Sequence, residues 1–138
     1  MIIVVGSNAR NAGKTSLICA IIRHWPHLQW QALKVTPHHH LHQSGDTARF
    51  RQAGAAQAFL RSMDHLPALE GHWIIESNRI LEVHTPDAYI FLEAPSPLNE
   101  KPPERWRLHQ AQVHLQGWAP SEHELPAPVR ELISSLLK

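Results

Sequence analysis

Gly13-Lys14-Thr15-Ser16 places a turn former, a cation and two hydroxyls side by side, and what flanks the run gives each a task. Met1 to Val5 is apolar and largely β-branched, which suits a strand covered on both faces, and the helical run SLICAIIRHW follows. A strand, a glycine-flanked loop and a helix in that order make a phosphate cradle. Backbone N–H groups and the positive end of the helix converge on an anion, Lys14 adds a mobile cation, and the Thr15 hydroxyl is suited to ligate Mg²⁺. The nucleotide-binding residues expected from this are Asn8, Arg10, Asn11, Ala12, Gly13, Lys14, Thr15 and Ser16. The strict pattern G-x-x-x-x-G-K-[ST] asks for glycine where this chain has Asn8. Gly6 is read as opening the turn, and Asn8, tolerant of positive φ, as making the bend.

Phosphate chemistry at such a cradle needs a divalent cation, a carboxylate to hold it and a group that orients the nucleophile. Thr15, Asp46 and Glu76 are the expected Mg²⁺-site residues, and Lys14, Asp46 and Glu76 the expected catalytic ones. Glu76 ends the apolar strand WII, so its charge must face the rim or be buried at a cost; the plainer alternative is a solvated strand end. Asp46 precedes a helical pattern and doubles as a candidate cap. Lys34 and Arg10 are further cations in reach of phosphate. His38, His39, His40 and His42 suit Zn, Ni or Cu, but adjacent imidazoles diverge, and a polar loop rather than an obligatory metal site is expected. Asn99-Glu100-Lys101-Pro102 lacks the spacing of N-K-x-D, so the base stays open between GTP and ATP. The loops after Ala94 and Gly117 are the expected resting places for that base.

The elements that must position these groups alternate. After the first helix, strands are expected over Leu28–Val35, Ala55–Ser62, His72–Ser77 and Ala88–Ala94. Asp46 to Gly54 reads as a short helix capped by Asp46 or Thr47 and stopped by Gly54, and Asn78 to His84 as a helical turn or two. PSPLNEKPPERW is a proline-rich surface connection, QAQVHLQG an edge strand, and VRELISSLLK an amphipathic helix. The pattern predicts an α/β fold: a three-layer sandwich with a mainly parallel sheet, its ligands beyond the carboxyl ends of the strands. That rule sets Gly13, Thr36, Glu76 and the loop after Ala94 on one rim.

At 138 residues the chain is read as a single nucleotide-binding domain over residues 1–138. Lys plus Arg total 13 against 12 acidic residues, which gives no electrostatic case for a nucleic-acid or membrane partner, although 12 histidines raise the charge steeply below about pH 6.5. No apolar run approaches the ~20 residues of a membrane helix, and no leader is expected ahead of the first strand. Cys19, the one cysteine, is read as a small core residue in a reducing compartment. The cytoplasm is the expected location.

Three stretches carry a resemblance. LKVTPHHH, at Leu33 to His40, resembles the LKHTHH segment of the molybdopterin-guanine dinucleotide biosynthesis protein B (MobB) family. GDTARFRQAGA, at Gly45 to Ala55, is similar to the helix and AGA that follow it there. WIIESNRIL is similar to that family's strand ending in an acidic VEG segment, with Ser77-Asn78 after the acid in place of the glycine. The likeness runs from Met1 to Leu92, about two thirds of the chain. It implies a P-loop NTPase fold of the class that includes dethiobiotin synthetase and the nickel-insertion GTPases. It further implies GTP bound with Mg²⁺, frequent homodimers, and an accessory role in attaching a nucleotide to molybdopterin beside another molybdenum cofactor biosynthesis protein; slow intrinsic hydrolysis is expected because the sequence offers only Arg10 and Lys34 as cations besides Lys14. Two alternatives from other classes are a nickel-insertion-type metallochaperone GTPase and a non-hydrolysing nucleotide-dependent binding module.

Overall fold

The computed structural model describes residues 1–9, 12–36, 45–94 and 102–138. Its strands are β1 (Ile2–Ser7), β2 (Gln31–Thr36), β3 (Gln57–Ser62), β4 (Trp73–Glu76), β5 (Ala88–Glu93) and β6 (Val113–Gln116). Its α-helices are α1 (Lys14–His24), α2 (Gly45–Ala53) and α3 (Ala127–Leu136). The strands form one six-stranded sheet in the order β3-β2-β4-β1-β5-β6, and every pairing is parallel. From β1 the chain runs out to β2 and β3, returns with β4, and crosses to β5 and β6. The reversal therefore falls beside β1, where open parallel sheets place their ligand crevice.

Residues alternate between the two faces as strand geometry requires. Ile3, Val5, Ala32, Ile74 and Ile90 meet all three α-helices in one core. Val4, Leu33, Trp73, Ile75, Tyr89 and Phe91 point the other way, and what covers them is short: Ile80 and Leu81 of a 3-10 turn, with Leu66, Leu69 and Trp106 from connecting segments. The sheet is thus flanked on both faces, with the described α-helices gathered on one.

Several boundaries differ from those expected. The second strand begins at Gln31 rather than Leu28, because Pro26 nucleates a 3-10 turn over Pro26–Leu28 that closes with Gln29 at φ 54°. Ala55 lies in the closure that follows α2 and not in β3: its N–H reaches the Phe50 carbonyl at 3.0 Å while Gly54, at φ 113°, donates to Arg51, a Schellman closure. Asp46 lies inside the first turn of α2, which begins at Gly45, so it is not the cap. α3 starts at Ala127, with Pro128 in its first turn. Gly6 opens no turn. It is paired within β1 to Phe91, and it is glycine because a Cβ there would stand 2.7 Å from the Tyr89 hydroxyl and 2.8 Å from Asn78 Oδ1. The far end of the proline-rich connection is pinned rather than loose, since Trp106 stacks on Phe91 at 5.5 Å. Among the described residues no helix is long and apolar enough to cross a membrane.

Candidate functional site

The carboxyl ends of β2 and β4, together with the first turns of α1 and α2, line an open cavity of about 1030 Å³. Its floor is the start of α1. Gly13 caps that helix at φ 97°, and a Cβ there would meet Pro120 Cγ at 2.9 Å, so both backbone and neighbours require glycine. Lys14, Thr15 and Ser16 follow in the first turn, and all three line the cavity.

Thr15, Glu76, Lys34 and Asp46 form a chain of contacts across three elements and the head of a fourth. The Thr15 hydroxyl donates to Glu76 Oε1 at 2.6 Å. Glu76 is only 5% exposed, and its second oxygen lies 3.4 Å from Lys34 Nζ. Lys34 in turn donates to Asp46 Oδ2. Burial works to pull the Lys34 ammonium down, but its hydrogen bond to Asp46 and the nearby charge of Glu76 hold it above its ordinary value. Both carboxylates expected to serve the cation are therefore brought to one place. Neither is a solvated end: each has a charge partner on β2, which lies between them. A sequence reading limited to charges along a helix does not show that partner, because it comes from a neighbouring strand.

The donor set fits a hard divalent cation. A hydroxyl has one proton and two lone pairs, so Thr15 can keep its proton on Glu76 and still offer oxygen to Mg²⁺. Glu76 and Asp46 add carboxylate oxygens on the same rim. Among the described residues no three His, Cys, Asp or Glu side chains gather as metal ligands. Arg10, Asn11 and the histidines at positions 38, 39, 40 and 42 lie outside the described residues, as does the loop after Ala94.

Asn8 differs from its expected role. The positive-φ residues other than glycine are, among those described, Gln29 and Arg107. Asn8 instead buries its side chain at 1% exposure: its Oδ1 accepts the Ala94 N–H at 2.8 Å, and its Nδ2 donates to the Ala94 carbonyl at 3.2 Å. The amide ties the loop after β1 to the end of β5, where glycine would offer only flexibility. Ala12, the neighbour of Gly13, packs against the helical core.

Two further arrangements were not anticipated. Arg49 on α2 donates to Ser16 Oγ at 3.1 Å and to Glu122 Oε1 at 2.8 Å, joining the head of α1 to the segment that follows β6. The hydrogen bond from Arg49 holds the Glu122 carboxyl below its ordinary value. Arg49 stands three residues after Asp46 and so shares its face of α2, but no spacing in the sequence points to Ser16 or Glu122 as its partners. Asn78, the residue two past Glu76, grips Ser7 from both sides: its Oδ1 accepts the Ser7 N–H and its Nδ2 donates to the Ser7 carbonyl, each at 3.0 Å. No spacing rule points to that clamp. It fixes the last residue of β1, from which the cradle departs.

Trp118 and Pro120, after β6, come within 3.2 Å and 2.9 Å of a Cβ placed on Gly13, so the segment after Gly117 lies against the turn at the head of α1. The chain matches no protein-family model, no curated protein and no solved structure.

Proposed function

We propose that this protein binds a nucleoside triphosphate, GTP or ATP, with Mg²⁺ at the Gly13–Ser16 turn and hydrolyses it slowly. The observation that carries the reading is the 2.6 Å bond from Thr15, at the head of α1, to the buried Glu76 at the end of the adjacent strand β4. A helix-head hydroxyl beside a strand-end carboxylate is what a phosphate-bridging cation requires, and the N–H groups of the same turn face an anion. The bound cation would neutralise charge on the terminal phosphates; the protein residues bind and orient. Slow turnover follows from the charges near by. Lys34 is held by Asp46 and Glu76, and Arg49 by Glu122, which keeps these two cations from neutralising charge on the terminal phosphates. Dimerisation or a partner protein that supplies a further cation would raise the rate.

Within that activity, the MobB-like reading is an accessory role in molybdenum cofactor biosynthesis. Its support is the order of the segments: the cradle, LKVTPHHH, GDTARFRQAGA and WIIESNRIL. The residues Lys34, Asp46 and Glu76 from the last three of these meet at one point. Calorimetric titration with GTP and with ATP, each with and without Mg²⁺, tests the reading and decides the base. Tight Mg²⁺-dependent binding of one of them is expected. Replacing Lys14 by alanine removes a charge-assisted contact of about 1.5–3 kcal/mol, roughly ten- to a hundredfold in affinity. Equal affinity of wild type and Lys14→Ala would show that the cradle is misplaced.

A further inference from the structure

Past Glu76 the cavity continues along a wall for which nucleotide hydrolysis has no use. Arg79, at the start of the 3-10 turn Arg79–Glu82, lines it, as do Arg105 and Arg107 on either side of Trp106. These arginines sit on backbone fixed from inside the protein. Trp106 is stacked on Phe91, and its carbonyl accepts the Tyr89 hydroxyl at 2.6 Å. The carbonyl of Arg105 accepts from Asn78 Nδ2 at 3.2 Å, the same amide that clamps Ser7 beneath the cradle. With Trp106 turned to the sheet, its two neighbours line the cavity, and Arg107 holds φ 50°, a conformation that non-glycine residues adopt rarely and that concentrates at ligand sites. Ser77 Oγ accepts the Ile80 N–H at 3.1 Å and so fixes the turn that carries Arg79.

Among the described residues the charges on this wall are not neutralised. Among the described residues Arg79 and Arg105 make no ion pair and no side-chain hydrogen bond, and Arg107 reaches Glu82 at only 3.9 Å. Glu82 and Glu104 also line this end, so three guanidiniums stand against two carboxylates. Water, the co-substrate of hydrolysis, carries no charge that would call for them. A dianion with several terminal oxygens matches guanidinium forks better than a single carboxylate does. The geometry points to a second anion site in which Arg79, Arg105 and Arg107 bind a small phosphate monoester next to the phosphate cradle. The placement beside a bound nucleotide rests on the function proposed above; the arginines' own ligand does not.

Phenyl phosphate serves as the probe, followed by NMR titration of protein saturated with Mg²⁺ and a non-hydrolysable analogue of whichever nucleotide it binds. Wild type is expected to bind the probe, and the Arg105→Ala/Arg107→Ala double variant to bind it at least about tenfold more weakly. Arg79→Ala is expected to weaken it less. These side chains are exposed or half-exposed, so the variants should keep the wild-type circular dichroism and amide dispersion. Absence of probe binding in wild type, or equal binding in wild type and double variant, overturns the proposal. So does a loss of nucleotide affinity as large as the loss of probe affinity, which would set the arginines on the nucleotide itself. A parallel titration uses Lys14→Ala without nucleotide. Binding that persists there and still needs the arginines supports the second site even if no nucleotide binds at all; binding abolished by Lys14→Ala alone would put the probe in the cradle and overturn it.

Discussion

Glu76 has two oxygens with two different duties, one accepting the Thr15 proton and the other facing Lys34. Glu76→Gln keeps an acceptor for Thr15 and removes the charge, so it separates cation chemistry from fold. The Mg²⁺-dependent hydrolysis rate should fall about tenfold or more, the scale of a displaced electrostatic contact at a reacting phosphate. Stability should fall modestly, because Lys34 retains Asp46 as its counter-ion. Wild-type rate and Mg²⁺ dependence in Glu76→Gln, measured by phosphate release, would remove Glu76 from the mechanism. Thr15→Ala acts differently. It leaves a buried carboxylate oxygen without its donor, at a cost of roughly 1–3 kcal/mol in stability, and it deletes the oxygen proposed to ligate Mg²⁺, so Mg²⁺ dependence should weaken more than nucleotide affinity. Unchanged Mg²⁺ dependence in Thr15→Ala would assign the cation to other oxygens.

At the scale of elements, α2 is the connector: Asp46 reaches β2, and Arg49 reaches both the head of α1 and Glu122. The Arg49–Glu122 pair is partly exposed and is expected to contribute no more than about 1 kcal/mol. Its pH dependence has a definite sign. Glu122 is held below its ordinary value of about 4.5 in the folded protein, so its contribution is complete above that pH and disappears as the pH drops through the lower, folded value. Glu122→Gln should therefore be less stable than wild type at neutral pH, and urea melts of the two should converge in strong acid. A gap that widens on acidification would contradict the pairing. Cys19 sits beneath this connection, fully buried, with its thiol pushed up to about 12, chiefly by burial. Its role as a core residue was legible from the apolar helix around it. The Arg49 connection was not, because it depends on how far the segment after β6 folds back, and no local pattern sets that distance. Glycine shows the same division. Gly13 was legible as a turn former at the helix start, whereas Gly6, read as a turn, is a close-packing site whose reason is the Tyr89 hydroxyl, remote in sequence. Gly6→Ala should cost about 1–3 kcal/mol by overpacking, read as a lower denaturant midpoint with an unchanged slope. An unaltered midpoint would mean that Tyr89 and Asn78 move aside freely.

For the molecule as a whole, alternation of apolar strands with helical runs made the parallel sheet legible, and the rule that ligands sit beyond strand ends placed Gly13, Thr36 and Glu76 on one rim, where all three line the cavity. What strand patterning could not supply is the uneven cover of the two faces. A strand buried on both sides reads alike whether helices or short turns lie over it. The site itself exists only when the whole sheet is assembled, since Thr15 and Glu76 are 61 positions apart and Lys34 arrives from a third element. A nucleotide that binds there binds the folded chain alone, and its binding energy must then appear as stability. At a hundred times its dissociation constant the Mg²⁺-nucleotide should add about 2.7 kcal/mol, which for a domain of this size raises the melting temperature by roughly 7–12 °C. The shift should grow with the logarithm of nucleotide concentration, shrink when Mg²⁺ is chelated, and shrink in Lys14→Ala at the same concentration. Differential scanning calorimetry across a concentration series measures all three. A shift of equal size in Lys14→Ala would mean that the nucleotide stabilises the protein from somewhere other than the Gly13–Ser16 turn.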